Sequence, residues 1–165
     1  MKYGVFISYS HEDKFSIGPI VKLVSALRND LVFQDTKDSK AGQLWEEKIK
    51  YALMQAKVIL IFWCCHSAKS EYVRKEYEQA ILDKKVIIPL LLDKTEIPDI
   101  LSAYQWIDLT YANFHLEHPI IGPIRERDKH VISAMIIEKE GERETKMSKI
   151  IAEKLLEELN RKIPI

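Results

Sequence analysis

Apolar runs of strand length alternate along the chain with longer stretches whose apolar positions recur at helical spacing. Tyr3 to Ser8 is short, β-branched and aromatic, as a strand buried on both faces should be. Leu31 to Phe33, Val58 to Cys65, Val86 to Leu92 and Gln105 to Leu109 repeat the signal, which predicts five strands. Between them, Ile20, Val24 and Leu27 mark a helix opened by Gly18-Pro19, because proline suits a first turn. Leu44, Trp45, Ile49, Ala52 and Leu53 mark a second helix. Ser70 is a natural N-cap for a third, running to about Asp83 with Glu71 in its first turn. A loop and short helix follow over Asp93 to Ser102. Glu142 to Asn160 carries one apolar stripe of Met147, Ile150, Ile151, Leu155 and Leu159. Residues 110 to 141 read as a variable insertion, with Val131 to Ile137 either an extra strand or a hydrophobic edge.

Strands alternating with single helices predict an α/β fold, because parallel neighbours need a right-handed crossover. Five such strands fit a flavodoxin-like three-layer sandwich of order 2-1-3-4-5, with helices on both faces. Ligands then collect beyond the carboxyl ends of the strands, at Ser8 to Asp13, Asp35 to Gly42 and Cys65 to Tyr72. One domain over 1–165 is expected, with a core over 3–109 and a C-terminal helix over about 142–160.

Composition narrows the partners. Twenty-five basic and 25 acidic side chains give zero formal charge, so nothing argues for nucleic acid or an anionic membrane. No apolar run reaches membrane length, and a cytoplasmic protein is expected. The cysteines, Cys64 and Cys65, are neighbours and read as two buried reduced thiols. Cys64-Cys65-His66 lacks the separated pairs of a zinc site, and His115 with His118 lacks further ligands, so no metal is expected. No Gly-x-Gly-x-x-Gly follows the first strand and no Gly-Lys-Ser/Thr loop is present, which weighs against dinucleotide oxidoreductases and P-loop enzymes.

Tyr72 and Glu76 stand four residues apart and share one helical face, placing a ring and a carboxylate together at the sheet's rim. The bland alternative is a solvated glutamate beside Arg74 and Lys75. Asp35 ends a strand and either caps a turn or shapes a pocket. Trp45 anchors its helix or offers a stacking surface.

The stretch Phe6-Ile7-Ser8-Tyr9-Ser10 resembles the opening box of TIR domains. Asp35 to Gly42 is similar to that family's second box and connecting loop, and Ser67 to Glu76 to the segment bearing the catalytic glutamate of NAD-cleaving members. Val86 to Leu92 and Gln105 to Asp108 match the following strands. The resemblance implies an NAD+ glycohydrolase or cyclase acting in antiviral or immune-type signalling, with Glu76 catalytic and no cofactor beyond NAD+ as substrate. It places Tyr9, Ser10, His11, Asp35, Lys40, Gly42 and Tyr72 in substrate binding. Ser10 and His11 depart from it, standing where many members carry basic residues, so phosphate contacts would lean on backbone amides, Lys37 or Lys40. It further implies homo-oligomers through TIR–TIR contacts, with Thr36 to Gly42 acting in trans, and a separate effector reached by a nucleotide signal. The alternatives are a non-enzymatic TIR adaptor and another N-ribosyl-transferring enzyme.

Overall fold

The computed structural model describes residues 4–33, 43–112, 114 and 129–163. Strands β1 (Val5–Ser8), β2 (Leu31–Phe33), β3 (Val58–Trp63), β4 (Val86–Leu91) and β5 (Ile107–Asp108) form one sheet. Its order is β2-β1-β3-β4-β5 and every pairing is parallel, the arrangement the sequence predicts. The helices are α1 (Lys14–Ser25), α2 (Gln43–Gln55), α3 (Glu71–Leu82), α4 (Asp99–Ser102) and α5 (Lys129–Lys162).

All six residues of β3 are buried, which is why that run contains no polar residue. Alternation along the strands separates two cores. Val5, Ile7, Val58, Leu60 and Phe62 face α1 and α5, packing against Ile17, Val24, Ile151 and Leu155. Phe6, Ile59, Ile61 and Trp63 face the other way, onto Leu53 of α2 and Val73, Tyr77 and Ala80 of α3. This is the three-layer sandwich, with helices on both faces. Among the described residues no helix is long and apolar enough to cross a membrane.

Three sequence expectations need correction. Helix α1 begins at Lys14, and Pro19 lies inside it. A turn over His11–Asp13, capped by the Ser10 hydroxyl accepting from the Glu12 N–H, starts the helical path earlier. Gly18 makes the proline tolerable, since it presents no Cβ to the following ring. Leu27 lies beyond the end of α1 and is 68% exposed, so the inward stripe is Ile17, Ile20, Val21 and Val24. Val131 to Ile137 is helical, because α5 continues through Gly141, a residue that costs a helix only about 1 kcal/mol.

Arg28 fastens the end of α5 to the start of the sheet. It is 4% exposed, donates to Asn160 Oδ1 (3.1 Å) and the Ile163 carbonyl (2.8 Å), and pairs with Asp30 at 2.7 Å. Hydrogen bonding from Arg28 holds the Asp30 carboxyl below its usual range. The Asp30 carbonyl in turn accepts the N–H groups of Gly4 (2.9 Å) and Val5 (3.0 Å).

A Cβ on Gly4 would sit 2.5 Å from Asp30 Oδ2, the oxygen Arg28 holds. Gly4→Ala is therefore expected to cost about 1–3 kcal/mol, the range for overpacking. Urea unfolding of the two proteins measures this directly.

Candidate functional site

The carboxyl ends of β1 and β3 bring together three polar segments: Ser8 to Asp13, Cys64 to Ser67, and the first turns of α3. Ser70 caps α3, its hydroxyl accepting the Val73 N–H at 3.2 Å, as its sequence position predicts. That cap fixes the helix phase, and the phase decides where Glu76 points.

Glu76 is not on an exposed rim. It is 4% exposed and shares the inward face of α3 with Val73, Tyr77 and Ala80. Burial pushes its carboxyl well above the ordinary glutamate range, and the nearby Ser8 hydroxyl pulls more weakly the other way. Ser8, also buried, lies at the last position of β1 and follows Phe6 on the α3 side of the sheet. Sequence reasoning does not single out Ser8, because a serine closing a strand looks like a turn residue until its partner helix is placed.

Tyr72 stands one turn before Glu76 and is 45% exposed, so aromatic surface lies outside the buried carboxyl. The His11 ring meets Tyr72 edge-on with centroids 6.0 Å apart, and Tyr9 edge-on at 6.5 Å. Tyr9 itself belongs to the core on the α1 side, and it supports His11 from below. Burial, then the Lys14 ammonium, lowers His11 from its ordinary value, so its imidazole is neutral near pH 7. Ser10 is buried and spends its hydroxyl on the turn cap. Asp35, Lys40 and Gly42 lie outside the described residues, as do Lys37, His115 and His118.

A second polar group occupies the opposite face. Cys64 continues the α1-side register of β3 and is fully buried, with Sγ 2.9 Å from Asp13 Oδ2. Asp13 Oδ1 is 2.7 Å from His66 Nδ1, and His66 Nε2 is 3.3 Å from Glu12 Oε2. Burial first, then the neighbouring Asp13, raises the Cys64 thiol to about 12, so it is protonated and donates to the carboxylate. Cys65 departs from the expected pair of buried thiols. β3 ends at Trp63, and the turn that follows leaves Cys65 exposed, with its N–H on Asp93 Oδ2 at 2.9 Å.

Away from both groups, a cleft of about 480 Å³ opens between the first residues of β4, residues 103–108 and the last turns of α5. It contains none of the candidate residues, and Trp106 at its edge is 45% exposed.

The family described as TIR domain matches residues 5–118. The crystal structure of the TIR domain of the Toll-related receptor TRR-2 from Hydra magnipapillata superposes with a TM-score of 0.55. It is 21% identical to this chain, and the alignment covers 64% of this chain and 83% of that one, a likeness in fold. A search of curated proteins returns no match.

The raised Glu76 carboxyl has a consequence for stability. Its neutral form is favoured in the folded state, so the contribution of Glu76 to stability is fullest below the ordinary value of 4.5. It falls as pH climbs from there through the raised native value. Glu76→Gln removes that loss. The variant is expected to melt a few degrees above the native protein at about pH 8, with the gap closing towards about pH 4.5. In a chain this long 1 kcal/mol moves Tm by roughly 2–4 °C, and scanning calorimetry across that range measures the gap.

Proposed function

The chain belongs to the TIR domain family, and from that membership and its buried glutamate we propose that it cleaves the nicotinamide–ribose bond of NAD+. The observation that carries the proposal is Glu76, a carboxyl kept at the carboxyl end of the sheet where ligands of this fold class gather. A glutamate with no task there would face solvent with Glu71 and Glu78, since burying it unassisted is costly.

The chemistry suits a single carboxyl. Breaking the bond builds an oxocarbenium-like charge on the ribose, as in glycoside hydrolysis. Nicotinamide leaves as a neutral molecule, so no acid need protonate it. The neutral Glu76 of the free protein would meet the ribose hydroxyls as a hydrogen-bonding group. The positive charge of the bound nicotinamide favours loss of its proton, leaving a carboxylate beside the developing cation, in a setting where such stabilisation is worth several kcal/mol. Tyr72 and the neutral His11 would give the ring surfaces at the entrance. Water attack on the ribosyl cation would yield ADP-ribose, and attack by the adenine a cyclic isomer. Asp35, Lys40 and Gly42 would complete the substrate contacts, with Thr36 to Gly42 reaching a neighbouring copy. In this reading no further cofactor is used, and the product serves antiviral or immune-type signalling through a separate effector.

A second reading is a non-enzymatic adaptor working through TIR–TIR contacts, the common mode of the family. The cleft bordered by Trp106 and Val86, both nearly half exposed, favours it.

NAD+ turnover at high protein concentration, with products resolved by chromatography and mass spectrometry, separates the two. We expect nicotinamide release by the native protein and a fall of roughly 100- to 1000-fold in Glu76→Ala. The kcat/KM should rise with pH through an ionisation above the ordinary glutamate range. Turnover that survives Glu76→Ala would assign the chemistry elsewhere. An inactive native protein that nevertheless self-assembles would favour the adaptor.

A further inference from the structure

The group on the α1 face has the makings of a metal centre, and we propose that Asp13, Cys64 and His66 bind one divalent transition-metal cation of the zinc class. A carboxylate oxygen, the thiol sulfur and an imidazole nitrogen lie within 4.8 Å of one another. Zinc holds these ligand types at about 2.0–2.3 Å, so neighbouring donors in a tetrahedral site stand roughly 3.3–3.6 Å apart. Asp13 Oδ2 lies 2.9 Å from the sulfur and Asp13 Oδ1 lies 2.7 Å from His66 Nδ1, so each carboxylate oxygen faces one of the other two ligands. A cation between the three groups would replace both of these hydrogen bonds, with the Asp13 carboxylate facing it from between the sulfur and the ring.

Three further observations fit a cation better than a hydrogen-bonded trio alone. Metal-binding histidines commonly give their second ring N–H to a carboxylate. Here His66 Nε2 faces Glu12 Oε2 at 3.3 Å, which leaves Nδ1 as the donor nitrogen. The sulfur also has an outer partner, for Ser67 Oγ lies 3.7 Å from Sγ and accepts the Cys64 N–H at 2.7 Å. Lastly, a thiolate and a carboxylate together carry two negative charges, so a divalent cation makes the buried set neutral. On binding, the Cys64 proton leaves to solvent and a sulfur–metal bond replaces the S–H bond. Asp13 is 3% exposed while the His66 side chain is 33% exposed, giving the ion a way in from the histidine side. Three protein ligands leave a fourth position for water. The cation would tie the turn after β1 to the turn after β3.

Titration of the full chain with Zn2+ by calorimetry, and with Co2+ by absorption, tests the assignment. We expect one equivalent per chain and a thiolate-to-cobalt charge-transfer band. Cys65→Ser should keep both. Glu12→Gln should weaken zinc binding roughly 10- to 100-fold, the usual effect of losing an outer carboxylate, and His66→Ala should weaken it further. Cys64→Ser should abolish the cobalt band. Because Cys64 is buried, that variant is checked by circular dichroism. If Cys64→Ser does not fold, His66→Ala, at a partly exposed position, decides the question. Absence of zinc binding, affinity unchanged in His66→Ala, or a cobalt complex without the thiolate band would each overturn the proposal.

Discussion

A central strand buried on both faces dictates where polar chemistry is possible in this molecule. Val58 to Trp63 cannot bear a polar side chain without stranding it between two helical layers. Polar groups are therefore displaced to the carboxyl edge, where β1 and β3 end and the chain turns into α1 and α3. Ser8 and Glu76 meet there on one side of the sheet, and Asp13, Cys64 and His66 on the other. Both groups sit at the reversal of strand order, where β1 lies between β2 and β3.

The two sides manage a buried carboxyl differently. Asp13 is met by the thiol of Cys64 and the ring of His66, both within hydrogen-bonding distance. Glu76 has the Ser8 hydroxyl nearby, whose influence on the carboxyl is smaller than that of burial. A carboxyl whose neutral form burial favours contributes less to folded-state stability as pH rises. Such an arrangement is common where reactivity, rather than stability, is the property maintained.

Much of the architecture is legible in the sequence because its signals are local. The run from Val58 marks a doubly buried strand by composition alone, and Ser70 marks the start of α3 by capping chemistry. Pro19 misleads, because the helical path begins with the Ser10-capped turn over His11–Asp13 that leads into α1 at Lys14, ahead of the proline within the helix. Val131 to Ile137 misleads in the same way, since a β-branched run has no fixed preference until its neighbours extend a helix through it. For the site, the spacing of Tyr72 and Glu76 places them one turn apart, yet spacing alone does not say which face of a helix meets the sheet. The cluster at Cys64 shows no separated ligands in the sequence. Its third member, Asp13, is 51 residues away and arrives only through the β1–β3 pairing.

Because side chains alternate along β3, the separation of the two polar groups rests on counting. Deleting one residue between Val58 and Trp63 would carry the thiol of Cys64 across the sheet to the α3 side, while Glu76 stayed anchored by its own helix cap. Deleting two would return it to its original side. Substitutions can therefore alter either constellation on its own, whereas a change in the strand's length alters their relation at once. Divergence in this part of the chain is open to point replacement and nearly closed to insertion and deletion, whereas the turns that follow each strand are free to vary in length.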